Sequence, residues 1–206
     1  AEAALEAGSR PVHVFETIKA LRAARPDVPV LVMSYFNPVL KYGVERFATD
    51  LAAAGGAGVI TADLVPDQGP DWISAADAND LDKVFLVAPS SPRERLELVA
   101  ETGRGFVYAA STMGVTGVRA EVGPQAEALV GRTRAAGAEF VCVGLGVSTP
   151  QQASEVGRYA DGVIVGSAFV KPLLDETVPW DERLTLVREL AADMAASIAK
   201  CRPNNS

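Results

Sequence analysis

Histidine and cysteine are scarce in this chain, which has one His and two Cys among its 206 residues. They do not form a group with the spacing of a metal site, so we expect no bound metal. The single histidine, His13, falls in an early predicted helix, and we interpret it as a surface or packing residue. Cys142 lies in an apolar run and Cys201 lies near the end of the chain. We interpret both as free thiols in a reducing compartment.

Long apolar runs and clusters of positive charge are also missing. No stretch is long enough to cross a bilayer and no signal peptide opens the chain, so we expect a cytoplasmic protein that does not contact a membrane. The formal net charge is −7, without a basic cluster, which argues against a nucleic-acid partner. Hydrophobic residues make up 49% of the chain, enough for one substantial core. We therefore expect a single domain over 1–206, with 201–206 as a flexible tail.

Six short apolar runs alternate with helical patterns along the chain. The runs are rich in β-branched residues and do not alternate with polar ones, which predicts strands covered on both faces, as in a parallel sheet. Capping boxes that begin at Ser91 and Thr149, each with proline at the first helical position, predict two of the helix starts. The predicted strands lie within 28–35, 58–62, 83–88, 105–110, 140–144 and 162–166.

Six strand–helix units fit two α/β architectures. One is an open doubly wound sheet, and the other is a (β/α)8 TIM barrel that lacks its first two strands. Periodicity does not distinguish them. The chain begins within a helical pattern that ends at Gly8, and glycines follow both of the last two predicted strands. Both features favour the barrel.

Glycines at the ends of the last two strands indicate a place where the backbone can be approached closely. Gly144 and Gly146 follow the fifth predicted strand, and Gly166 and Ser167 follow the sixth. Ligand sites of parallel α/β folds lie at these strand ends, and a helix that starts near Ser167 would direct its positive end there. The pattern favours a phosphate site, although tight turns alone would also explain the glycines. The long polar turn at 111–123 is either an active-site lid or a disordered insertion.

Groups for acid–base chemistry are few at the same strand ends. Asp63 is the only carboxylate that we place there. Tyr35 and Tyr108 could donate hydrogen bonds, although tyrosines at strand ends more often pack. No serine-centred nucleophile motif is present. The residues alone therefore leave the reaction open.

Six stretches closely resemble the alpha subunit of tryptophan synthase, in family order and over nearly the whole chain. They are "VMSYFNPVLKYGVERF", "GVITADLVPDQ", "FLVAPSSP", "GFVYAASTMGVTGVR", "VGLGVSTPQQ" and "ADGVIVGSAFVK". The resemblance implies a TIM-barrel lyase that cleaves indole-3-glycerol phosphate to indole and glyceraldehyde 3-phosphate in tryptophan biosynthesis. It implies no cofactor in this subunit. It also implies a pyridoxal-phosphate-dependent beta subunit as partner, in a complex of two alpha and two beta subunits.

The resemblance also carries the family's phosphate-binding residues onto this chain. Thr116 matches a threonine of the lid that helps to order the loop over the substrate. The positions that match the phosphate-binding set are Gly117, Gly144, Gly146, Gly166 and Ser167.

Two further sets come from the same resemblance. The positions that match the wall around the indole ring are Tyr35, Ala62 and Tyr108. The positions that match contacts with the beta subunit are Asn37, Pro38 and Pro66.

The family's catalytic residues match no position in this chain. The family has a catalytic glutamate on its second strand and an aspartate on the following loop, and both lie upstream of the segment that matches "AEAALEAG". Asp63 matches a family aspartate that is not one of this pair. Two alternatives therefore remain: another phosphate-binding barrel enzyme of the sugar-phosphate isomerase type, or a truncated chain that binds a partner without catalysis.

We expect the 206-residue chain by itself to be marginally stable, prone to aggregation or dependent on a partner, and to release no detectable indole from indole-3-glycerol phosphate. An unclosed barrel leaves two parallel strand edges unpaired. Loss of proton-transfer groups costs about 100- to 10,000-fold in rate for each group. The measurement compares indole release by the chain, alone and with a beta subunit, with release by an extended version that carries the two missing strands upstream. Equal activity in both would show that Asp63 or another residue of this chain performs the chemistry.

Overall fold

The structure is a computed structural model, and it describes Glu6 and residues 8–110, 124–144 and 146–201. The chain divides into two compact units. The first unit covers Ala1–Leu86 and Glu101–Gly105, and the second covers Val87–Ala100 and Phe106–Ser206. Each unit contains its own parallel strands.

Strands and helices alternate throughout the described residues, as the sequence predicts. In chain order the elements are α1 (Pro11–Ala24), β1 (Leu31–Ser34), α2 (Phe36–Tyr42), α3 (Val44–Ala53), β2 (Gly58–Thr61), a 3-10 turn (Pro66–Gln68), α4 (Pro70–Ala78), β3 (Asp82–Val87), α5 (Arg93–Thr102), β4 (Val107–Ala110), α6 (Pro124–Ala135), β5 (Val141–Gly144), α7 (Pro150–Gly157), β6 (Gly162–Val163), α8 (Ser167–Leu173) and α9 (Trp180–Cys201).

The strands of each unit pair in parallel and in chain order. In the first unit, β2 pairs with β1 and with β3, and the register places Ser34 beside Thr61. In the second unit, β5 pairs with β4 and with β6, and Ala110 lies beside Gly144. Because β1 and β2, and likewise β4 and β5, are paired up to their last residues, the loops that leave the two strands of each pair start side by side. All six predicted strands are confirmed.

An aromatic cluster forms part of the core of the first unit. The ring of Phe47 lies 5.4 Å from that of Phe15, 5.9 Å from that of Tyr42 and 6.4 Å from that of Trp72, measured between centroids. Trp72 is fully buried. Edge-to-face and tilted contacts of this kind add to the stabilisation that the buried area provides. The cluster joins α1, α2, α3 and α4.

Charged side chains form ion pairs and hydrogen bonds at the beginnings of β3 and β5. In the first unit, Arg104 donates to Asp80 and Asp82 at 2.9 and 2.8 Å. In the second unit, a carboxylate oxygen of Asp161 accepts from the backbone N–H of Val141 at 2.8 Å, and Arg134 lies 2.9 Å from the same oxygen. Strand beginnings in parallel barrels serve stability. Asp161 therefore has a structural role.

The closing helix α9 extends to Cys201, and the rest of the expected flexible tail lies outside the described residues. Met194 is buried, whereas Leu184 is 38% exposed. No helix within the described ranges is long and apolar enough to cross a membrane.

We expect Phe47→Ala to lower the free energy of unfolding by about 3–5 kcal/mol, because it empties the centre of the aromatic cluster. Phe47→Leu keeps more of the buried volume and should cost less, about 1–2 kcal/mol. Phe140, which is 49% exposed, provides a control: Phe140→Ala should cost less than about 1 kcal/mol. The measurement is urea unfolding of the extended version. Similar losses at Phe47 and Phe140 would contradict the assignment of this cluster to the core.

Candidate functional site

Gly144, at the carboxyl end of β5, is enclosed by two side chains of the second unit. A Cβ atom at this position would clash with the hydroxyl oxygen of Tyr108 and would lie 2.9 Å from Cβ of Ile164. Contacts this short do not occur between real atoms, so glycine is required for Tyr108 to occupy its place. Sequence reasoning paired neither Tyr108 nor Ile164 with Gly144, because the residues are distant in the chain.

Tyr108 itself is buried, with 6% of its surface exposed. Burial raises the pKa of its hydroxyl above the ordinary value for tyrosine. At neutral pH the phenol is therefore protonated and can donate a hydrogen bond. The predicted role of Tyr108 on the indole side of the site is compatible with this state, and it stays a prediction.

Gly146 needs glycine for a different reason, which is its backbone conformation. Its φ angle is 82°, which lies in the left-handed region that residues other than glycine rarely adopt. The turn that follows is held by Gln152, whose Oε1 accepts from the backbone N–H of Ser148 at 2.8 Å and from that of Thr149 at 3.2 Å. Thr149 in turn accepts from the backbone N–H of Gln152. The predicted capping box at Thr149 is confirmed.

Gly166 has open space on the side where a Cβ would point. Among the described residues, no heavy atom lies within 4 Å of the position that a Cβ would occupy. Gly166 is the N-cap residue of α8, which starts at Ser167, and no side chain caps this helix end. The first N–H groups of a helix have no partner within the helix. Gly166 and Ser167 thus combine free volume with backbone donors.

The residues predicted for the indole side in the first unit lie at two paired strand ends. Tyr35 follows β1 and is 69% exposed, and Ala62 follows β2 and is half-buried. The backbone N–H of Ala62 donates to the carbonyl of Ser34 at 3.2 Å, which continues the pairing of the two strands by one residue. The structure therefore brings Tyr35 and Ala62 to neighbouring loops of one unit.

Asp63 contacts the start of α2. Its Oδ1 accepts from the backbone N–H of Phe36 at 2.7 Å, across 27 residues of sequence. Its side chain is exposed. Sequence reasoning noted Asp63 for its position but found no role for it, because the contact joins two loops that only the strand pairing brings together.

The predicted contacts with the beta subunit differ in exposure. Asn37 and Pro38 are exposed in the first turn of α2, whereas Pro66 is buried at the start of the 3-10 turn. Two further predicted residues, Thr116 of the lid and Gly117 of the phosphate set, lie outside the described residues. Within the part of the chain that the structure describes, no group of His, Cys, Asp and Glu could hold a metal ion.

Comparison with known proteins gives consistent matches over almost the whole chain. The family model "Tryptophan synthase alpha chain" matches residues 1–199. The tryptophan synthase alpha chain of Bifidobacterium longum is 52% identical over 206 residues, which covers 98% of this chain and 70% of that protein. The Acidothermus cellulolyticus alpha chain is 50% identical over 200 residues, covering 97% of this chain and 73% of that protein.

Solved structures agree with the sequence matches. A structure of Mycobacterium tuberculosis tryptophan synthase superposes with a TM-score of 0.85 at 48% identity, covering 96% of this chain and 72% of that one. A mutant tryptophan synthase alpha-subunit from Pyrococcus furiosus gives a TM-score of 0.80 at 29% identity, covering 94% of this chain and 76% of that one.

Parallel strands that alternate with helices, together with these superpositions, define the class as a (β/α)8 TIM barrel, of which this chain contains six strand–helix units. The chain belongs to the tryptophan synthase alpha chain family. It is an alpha-type lyase of tryptophan biosynthesis. The family match therefore favours this family over another phosphate-binding barrel enzyme, which the sequence patterns had left open as an alternative.

We expect Gly144→Ala to lower the free energy of unfolding by about 1–3 kcal/mol, because the new methyl group displaces the hydroxyl of Tyr108. Removing that hydroxyl in the double variant Gly144→Ala/Tyr108→Phe should recover part of the loss. Gly131→Ala in α6 is the control, since a Cβ there meets no atom of the described part of the chain within 4 Å and alanine favours the helix. Urea unfolding measures all of these variants. An unchanged midpoint for Gly144→Ala would contradict the packing described above.

Proposed function

We propose that this chain binds the substrate of an alpha-type lyase that cleaves indole-3-glycerol phosphate to indole and glyceraldehyde 3-phosphate. The observation that carries the proposal is the open space beside Gly166, at the start of α8, in a chain whose family model covers residues 1–199. A phosphate held after the last strands is a recurring feature of TIM barrels. We place the phosphate group of the substrate in this open space.

In this proposal the phosphate group is bound by the loops after β5 and β6. Gly166 and Ser167 provide backbone N–H groups beside the open space. Gly146 allows the turn in the loop after β5, because it adopts a positive φ angle. Hydrogen bonds to a charged group contribute roughly 1.5–3 kcal/mol each, so several of them can hold a dianion without an arginine. Gly144 contributes by allowing the close approach of Tyr108. Gly117 completes the set by resemblance.

Tyr35, Ala62 and Tyr108 are proposed to contact the indole ring. An exposed tyrosine ring offers an aromatic face, and the small side chain of Ala62 leaves room beside it. The protonated phenol of Tyr108 adds a hydrogen-bond donor. These residues bind and orient the substrate, while the proton transfers belong to the glutamate and aspartate of the family pattern. Thr116 is proposed to order the lid over the bound substrate.

We further propose that the chain works with a pyridoxal-phosphate-dependent beta subunit in a complex of two alpha and two beta subunits. This chain itself is proposed to need no cofactor. Asn37 and Pro38, exposed at the start of α2, and Pro66 in the 3-10 turn are the proposed contacts. A cytoplasmic location is proposed from the biosynthetic role of the family.

Gly166→Ala tests the phosphate site without disturbing the fold. The new methyl group meets no atom of the described residues within 4 Å, so the melting temperature should hardly change. The methyl group occupies the proposed phosphate volume and should weaken binding by about 10- to 100-fold, equivalent to the loss of one charged hydrogen bond. Calorimetric titration of the extended version with inorganic phosphate and with glycerol 3-phosphate measures the effect.

Two variants serve as comparisons for Gly166→Ala. Gly131→Ala, which also has no described neighbour within 4 Å of the new methyl group, should leave both affinity and melting temperature close to the original values. Gly146→Val should block phosphate binding but also reduce stability, because valine is strained at a φ of 82°. If Gly166→Ala binds phosphate as tightly as the original sequence, the glycines are turn residues and the proposed phosphate site is wrong.

A further inference from the structure

Helix α2 starts at a residue that cannot cap it. Its N-cap residue is Tyr35, and the side chain of Tyr35 makes no capping hydrogen bond. Good N-cap residues offer a short side-chain oxygen to the first free N–H groups, which tyrosine cannot do. The acceptor comes instead from another loop, because Asp63 Oδ1 binds the N–H of Phe36 at 2.7 Å. Asp63 is thus a non-local cap of α2.

The position of the Tyr35 ring is set by the backbone around it and not by contacts of the ring itself. Its ring is 69% exposed, and among the described residues it makes no aromatic contact that would hold it. The backbone on either side is fixed: Ser34 pairs with Thr61, and Phe36 is bound by Asp63. The hydroxyl of Ser34 also donates to the carbonyl of Tyr35 at 2.7 Å. Loss of the Asp63 contact releases one of these anchors.

The same contact joins two walls of a surface cleft of about 380 Å³ in the first unit. Phe36, Asn37 and Leu40 line the cleft from α2, while Asp63 and Leu64 line it from the loop after β2. The bond between Phe36 and Asp63 therefore fixes the separation of the two loops that carry Tyr35 and Ala62. It also fixes the first turn of α2, where Asn37 is exposed.

We propose that Asp63 is a positioning residue, which acts through the N–H of Phe36 to hold Tyr35 against the substrate and Asn37 toward the partner. This inference rests on the proposed function, because it assumes that Tyr35 contacts the indole ring and that Asn37 contacts the beta subunit. The carboxylate is the only one placed at a described strand end on this face, yet its oxygen is used to bind the backbone. Its task is to accept a hydrogen bond, and it transfers no proton.

The test compares Asp63→Ala, which removes the acceptor, with Asp63→Asn, which removes the charge but keeps an oxygen that can accept from Phe36. Glu45→Gln, at an exposed residue in the first turn of α3, is the control for the loss of one negative charge. All variants are made in the extended version and are assayed for indole release, alone and with a beta subunit. Hydrogen exchange of the Phe36 amide is measured in parallel.

We expect Asp63→Ala to speed exchange of the Phe36 amide by about 10-fold, the loss of one charged hydrogen bond at an exposed site. The KM for indole-3-glycerol phosphate should rise by about 3- to 10-fold, with a smaller fall in kcat and a weaker response to the beta subunit. Asp63→Asn should retain most of the protection and most of the activity. The shape of the pH–rate profile should be the same in all variants.

Two outcomes would overturn the proposal. If Asp63→Asn abolishes turnover as fully as Asp63→Ala and removes a limb of the pH–rate profile, Asp63 transfers a proton. If Asp63→Ala speeds exchange at Phe36 but leaves KM and the response to the beta subunit unchanged, the contact is a local helix cap without a role in the site. An unsubstituted extended version without indole release would contradict the proposed function instead, and amide exchange would still decide whether Asp63 anchors Phe36.

Discussion

Parallel strand pairing in register is the constraint on which the candidate site depends. Ser34 lies beside Thr61 in the first unit and Ala110 beside Gly144 in the second, so the loops that leave each pair start at the same level. A slip of one residue would turn every side chain of a strand to its other face. Tyr108 would then no longer lie over Gly144, and Asp63 would not reach Phe36. The contacts of both units thus follow from the register.

Three glycines of the second unit look alike in sequence but meet different physical demands. Gly144 leaves room for a tyrosine, Gly146 adopts a backbone angle that a Cβ disfavours, and Gly166 borders open space. Only the open space beside Gly166 is proposed to receive a ligand directly. The distinction explains why a pattern of glycines at strand ends indicates a site without showing which residue contacts the bound group.

The strands, the helix start after Thr149 and the strand-end glycines could be predicted from the sequence, because each depends on a local pattern. Apolar β-branched runs identified the six strands, and the capping box at Thr149 was visible in four consecutive residues. The contacts of Tyr108 with Gly144 and of Asp63 with Phe36 could not be predicted in this way. They join residues 36 and 27 positions apart, and only the folded sheet brings such residues together.

The non-local cap of α2 has a consequence for the order in which the first unit folds. A helix of seven residues is too short to be stable by itself, and the side chain of its N-cap residue contributes no hydrogen bond. The acceptor comes with the loop after β2. We therefore expect the first turn of α2 to become ordered only after β2 has paired with β1, although α2 precedes β2 in the chain.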